Sequence, residues 1–262
     1  MGEGLRFELL GPLRAFGPEG EVPLGAPRQR AVLAVLLLQE GRPMTYAALV
    51  DAVWGERPPA HVRNLVQKYV SGLRRACAGA APDGSGPELR WTGSGYVLSG
   101  AVIADLAERR ALLARAVAAR DGGDGGRALE LAGRAEALWR GEFAEGLAGP
   151  FLAAERLRWA EKRLMVLEAR LAGQLDLGRY HECVHELVRQ VAEHPMRERL
   201  VWLLMLALYR SGQATEALVA FEDARRRIAE EMGSDPGPAL RALHERMLRQ
   251  DPALLPESVL AS

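Results

Sequence analysis

A chain of 262 residues with 48% hydrophobic and 26% charged residues is long enough to bury a sizeable core, is unlike a disordered polymer, and is expected to form two domains. Its net charge of +0 gives no overall basicity, and no apolar run, 31–38 being the longest, approaches the roughly 20 residues of a membrane span. The opening MGEGLRFELL has no basic region followed by an apolar one, so no signal peptide is expected, and Arg6 spoils the myristoylation pattern.

Residues 5 to 24 read as short strands, LRFELL, PLRAF and EVPL, punctuated by Gly11-Pro12 and by the turn Gly17-Pro18-Glu19-Gly20. Pro27 opens a helix whose Ala31, Leu33, Ala34, Leu37 and Leu38 form a broad buried face, and Gly41 ends it. Thr45 caps a second short helix, YAALVDAVWG, closed by Gly55, with Trp54 in the core. A third helix lies within 59–77. There Val62, Val66, Tyr69, Val70, Leu73 and Cys77 make an apolar stripe, while Arg63, Asn64, Gln67, Lys68, Ser71, Arg74 and Arg75 fill the other side. The segment GAAPDGSGP is a loop, and LRWTGSGYVLS alternates about a Gly-Ser-Gly turn as a hairpin.

Charge is placed unevenly. Residues 1–100 carry 11 Lys+Arg against 9 Asp+Glu, yet 57–77 alone holds five cations and no acid. A helix with one apolar face opposed by amides, a hydroxyl and cations is suited to a DNA major groove, and is equally an ordinary solvated helix taken by itself. Residues 64, 67, 68 and 71 share one face. Asn64 and Gln67 can bond adenine edges, Lys68 can donate to guanine, and Ser71 permits close approach. Arg63, Arg74 and Arg75 suit phosphates, and Arg90 and Thr92 flank the hairpin turn where the sugar–phosphate edge would run. Trp91 is read as packing under the hairpin, with DNA contact as the alternative.

Beyond about residue 100, helices are expected near 105–120, 125–140, 150–176, 179–193, 197–210, 214–232 and 237–249. Gly178 and Gly212 lie 34 residues apart, the tetratricopeptide period, and Ala217, Phe221 and Ala224 follow the small–aromatic–small packing pattern. Pro195 stands where the terminal proline of the repeat after Gly178 falls, and a weaker unit begins at Gly123. The longer step from Gly123 to Gly178 implies an inserted helix. Cys77 and Cys183 fall on apolar faces of separate helices and read as buried thiols in a reducing cytoplasm. His181-Glu182-Cys183-Val184-His185 matches the zinc-protease pattern, but a third ligand and an open cleft would be needed, and the match is read as a packed or solvated helix face.

Strands, three helices and a hairpin, with LVDAVWG, VQKYVSGLRR and TGSGYVL, resemble the OmpR-type winged helix-turn-helix. Joined to an all-α tetratricopeptide-like half, the chain resembles the Streptomyces antibiotic regulatory proteins. The resemblance runs through FELLGPLRAFG, LGAPRQRAVLAVLLL, ALVDAVWGERPPA, YVSGLRRA, EALWRGE, PFLAAERLRWAE, MLALYRSGQATEAL and EEMGSDPGPAL. The segment GAVIADLAERR departs from the family by being poorer in aromatics. The resemblance implies a DNA-binding domain over 1–100, a bacterial transcriptional activation domain over 101–250 and a flexible tail over 251–262. It further implies a non-enzymatic activator of antibiotic-pathway genes, without metal or cofactor. Such a protein acts in the cytoplasm as a homodimer on direct repeats near the promoter −35 element, and recruits RNA polymerase holoenzyme through its sigma factor. No membrane partner is expected. A regulator whose helical half senses a small molecule or peptide and gates DNA binding is the alternative.

Overall fold

The computed structural model describes residues 5–80 and 86–255. It contains two small sheets followed by a run of helices, the OmpR-type winged helix-turn-helix and the all-α tetratricopeptide-like half. Contacts divide the chain into two compact units, Met1–Val117 with Leu131–Arg163, and Ala118–Glu130 with Leu164–Ser262.

In the first unit, β1 (Arg6–Glu8), β2 (Arg14–Gly17) and β3 (Gly20–Glu21) form an antiparallel meander. Helices α1 (Pro27–Leu37), α2 (Tyr46–Trp54) and α3 (Val62–Ala80) follow. The hairpin of β5 (Glu88–Trp91) and β6 (Gly95–Ser99) is joined on its far side by β4 (Met44–Thr45). β7 (Val102–Ile103) then runs parallel to β1, returning the chain to the first sheet. The expected loop lies mostly outside the described residues, although α3 takes in its first residues, Gly79 and Ala80.

Two expectations change here. α1 buries every residue from Ala31 to Leu37 rather than one face, because α2, α3 and β6 all pack on it. Trp54 is only partly buried, stacking on Tyr69 of α3 with ring centroids 6.5 Å apart.

α4 (Ala104–Asp121) begins with Asp105, which is 3% exposed. Its Oδ2 accepts the backbone N–H groups of Leu9 and Leu10 at 2.8 and 2.7 Å and faces the Arg140 guanidinium at 3.2 Å. Residues 140–145, between α5 (Gly125–Ala137) and α6 (Pro150–Asp176), run beside the end of β1: Arg140 N–H donates to Leu10 O at 2.7 Å and Ala144 N–H to Leu9 O at 3.0 Å. Phe143 stacks on Trp159 at 5.0 Å, and Trp159 meets Trp139 edge-on at 6.3 Å. Arg109 lies buried against Trp159 and donates to Lys162 O; burial pushes its pKa down, and Glu136 opposes that shift. The EALWRGE and PFLAAERLRWAE segments thus complete the unit that carries α1–α3.

In the second unit α8 (Glu198–Arg210) packs against α7 (Tyr180–Glu193) and α9 (Ala214–Met232), and α10 (Pro238–Leu248) packs on α8 and α9. Gly178 and Gly212 sit at the interhelical corners with φ of 76° and 83°, a backbone that favours glycine. Ala217, Phe221 and Ala224 are all buried, as the repeat pattern requires. Arg170–Glu186 and Arg197–Glu168 ion pairs, each 2.6 Å, tie the end of α6 to α7 and to the corner before α8. The first part of the expected tail is docked instead: Pro252–Leu254 forms a 3-10 turn, Leu254 is buried, and Arg210 Nε donates to its carbonyl at 2.9 Å. The rest of that tail lies outside the described residues. Both cysteines are buried, and burial raises each thiol to about 11. Among the described residues no helix is long and apolar enough to cross a membrane.

Asp105→Ala removes a buried acceptor and leaves the Leu9 and Leu10 N–H donors unpaired, so it should cost about 3 kcal/mol of stability. Asp105→Asn, which keeps one acceptor, should cost less. Urea unfolding followed by far-ultraviolet circular dichroism checks this; an unchanged midpoint for Asp105→Ala would contradict it.

Candidate nucleic-acid interface

The surface of interest is built from α1 outward. Val66, Val70, Leu73 and Cys77 of α3 are buried against the α1 core, with Val62 and Tyr69 partly buried beside them. α3 approaches α1 closely at Gly72, where an added Cβ would lie 2.8 Å from Gln29 Oε1, and Gln29 itself donates to Leu24 O at 3.0 Å. Thr45 Oγ1 accepts the Ala48 N–H at 3.2 Å, and Gly55, with φ 62°, ends α2. His61 O then accepts Leu65 N–H at 3.2 Å as α3 begins.

With that side committed, Arg63, Asn64, Gln67, Lys68, Ser71, Arg74 and Arg75 are all exposed. Asn64, Gln67, Lys68 and Ser71 form one outward row. Among the described residues, no ion pair reaches Arg63, Lys68 or Arg75 within 4.0 Å. Two of the sequence-derived contacts are already engaged within the protein. Arg74 Nε donates to Leu89 O at 2.8 Å, bracing α3 on the hairpin, and Arg90 Nε lies 3.0 Å from Glu88 Oε2.

The hairpin turn is closed by Thr92 N–H donating to Gly95 O at 2.9 Å, and Tyr46 N–H reaches Ser94 O at 2.9 Å. Gly95 is required by close approach, since a Cβ there would stand 1.9 Å from Met44 O. Trp91 is not packed under the hairpin. It meets Tyr96 edge-on at 5.0 Å but remains 49% exposed, because it stands past the edge of the core.

His181, Glu182 and His185 are exposed on α7, and among the described residues no group of three His, Cys, Asp or Glu side chains is placed to hold a metal. Sequence reasoning missed Asp105, which holds the Leu9 and Leu10 backbone, and Gln29, which lies where α3 approaches α1 at Gly72. A lone first-turn acid and a glutamine in an Arg-rich stretch give no signal of their own.

Two families match this chain: that described as Transcriptional regulatory protein, C terminal, over residues 20–98, and Bacterial transcriptional activator domain over residues 104–248. The chain is 45% identical to Regulatory protein AfsR of Streptomyces coelicolor over 253 residues, 95% of this chain and 25% of AfsR. It is 34% identical to Regulatory protein DnrI of Streptomyces peucetius over 260 residues, 95% of this chain and 94% of DnrI. The solved structure of Mycobacterium tuberculosis EmbR in complex with a low affinity phosphopeptide is similar at a TM-score of 0.84 and 35% identity, over 94% of this chain and 65% of that one. The chain therefore spans about a quarter of the length of AfsR.

Gly95→Ala should push β4 off β6 and destabilise the hairpin by about 1–3 kcal/mol. Amide exchange at Tyr46 and Thr92 should accelerate; wild-type rates at both positions would contradict the close approach.

Proposed function

Since this chain belongs to the Streptomyces antibiotic regulatory protein family of transcriptional regulators, we propose that it is a sequence-specific DNA-binding activator. The observation that carries this reading is the exposed, acid-free polar face of α3 beside the hairpin. In it Asn64 and Gln67 meet adenine edges, Lys68 meets guanine O6 or N7, and Ser71 allows the helix to approach. Arg63, Arg74 and Arg75, with Arg90 and Thr92 of the hairpin, hold the phosphates and set register. Arg74 combines this with bracing the hairpin through its Nε.

Residues 1–100 supply DNA recognition, and residues 101–250 supply dimer contacts and the contact with RNA polymerase holoenzyme through sigma factor. Direct repeats near the −35 element would seat protomers head to tail, an asymmetric arrangement. The target genes are those of antibiotic or related secondary-metabolite synthesis, the chain acts in the cytoplasm, and it performs no catalysis. Footprinting the full chain on its own genomic neighbourhood, with and without polymerase holoenzyme, tests the activator reading. Protected repeats that strengthen with polymerase are expected; no protection, or no gain with polymerase, counts against it.

Arg63→Ala should weaken binding to every duplex alike and lower the slope of log affinity against log salt by about one unit. Gln67→Ala should instead relax preference at a single base pair, costing about 1–3 kcal/mol there. Fluorescence anisotropy across a salt series and a panel of single-base variants measures both. An unchanged affinity and an unchanged preference in Gln67→Ala would remove that residue from the reading face.

A further inference from the structure

Trp91 is the exposed large aromatic of the hairpin, and its position follows from strand register. Leu89 pairs with Leu98 and Trp91 with Tyr96, so these four side chains share the core-facing side of the β5–β6 hairpin. Leu89, Leu98 and Tyr96 are buried there, whereas Trp91 overhangs. α3 packs on β5, where Arg74 Nε donates to the Leu89 carbonyl, and the Trp91 ring meets the Tyr96 ring edge-on at 5.0 Å. The overhanging ring is flanked in the chain by Arg90 and Thr92, both exposed. The only nearby acid of β5, Glu88, is drawn to Arg90.

An indole in this setting has an apolar body and one N–H donor. Deoxyribose rings linked by phosphates present apolar surface and acceptors side by side, and the flanking cations favour that polyanion over an acid-poor protein surface. We propose that Trp91 packs its free face on the sugar–phosphate backbone of bound duplex DNA, as the uncharged contact of the hairpin. This rests on the DNA-binding reading above.

An uncharged contact has a signature that distinguishes it from the arginines. It adds affinity for any duplex, carries no base preference, and releases no counterion, so the salt slope is indifferent to it. The test uses the full chain and a labelled duplex of about 30 base pairs of random sequence, titrated at several salt concentrations. Trp91→Ala should weaken binding about fivefold, as expected for losing half of a large buried apolar side chain, at an unchanged slope. Trp91→Phe, which keeps a ring, should retain most of the affinity. Acrylamide quenching of tryptophan fluorescence should fall when the duplex is added to wild type, and should not fall in Trp91→Phe.

Wild-type affinity in Trp91→Ala, or an equal DNA-dependent change in quenching in Trp91→Phe, would overturn the proposal. Arg63→Ala run in parallel separates the two levels. If Arg63→Ala weakens binding and Trp91→Ala does not, the Trp91 contact alone fails. If wild type binds no duplex at any salt concentration, the DNA-binding reading fails and the Trp91 contact with it.

Discussion

One buried carboxylate joins parts of the chain that are distant in sequence. Asp105 is withdrawn from water, a state that is costly for a charge unless its lone pairs are used. Here they are: Oδ2 takes the Leu9 and Leu10 amides and faces Arg140, and Oδ1 accepts the Leu106 amide at 2.9 Å. Arg140 in turn lies 3.2 Å from Glu8. The end of β1, the start of α4 and the segment after α5 are thereby fixed at a single point.

The rest of the first unit hangs from that point. Leu9 and Leu10 are wholly buried in the cluster that contains α1, so fixing their backbone fixes the floor on which α1 lies. α1 is buried from Ala31 to Leu37, α3 packs on it through one stripe, and the remaining side of α3 is left facing solvent. A chain with no net charge can thus present a locally basic, acid-free helix face, because distribution rather than total charge decides what a surface attracts. The residues after α5, matched to the activator-domain family, belong structurally to the unit that holds this face. That gives a physical route by which changes in residues 131–163 reach the exposed face of α3 without touching it.

Features with local causes were readable from sequence. The bounds of α6 and α9, the Thr45 cap, the Gly55 stop and the Gly178 and Gly212 corners each depend on periodicity or on residues a few positions away. What was not readable depends on distant partners. β4 and β7 are two-residue strands with no period of their own, defined only by β6 and β1. Asp105 looks like any acid in a first helical turn until Leu9, 96 residues earlier, is placed beside it. Trp91, expected to pack under its hairpin, is 49% exposed instead, because where the core stops is a property of the whole unit. The docking of 252–254 likewise needs Arg210, which lies 44 residues before the carbonyl that it meets.

The candidate face was readable to a similar extent. The polar row of α3 follows from helical spacing alone, whereas the commitment of Arg74 to Leu89 and of Arg90 to Glu88 appears only with the fold. The most direct measurement of whether this face reads base sequence is selection by the full chain from a pool of random-sequence duplexes. Enrichment of one defined motif, recurring in a single orientation, is the expected result. A pool that is retained by charge but stays random in sequence would contradict it.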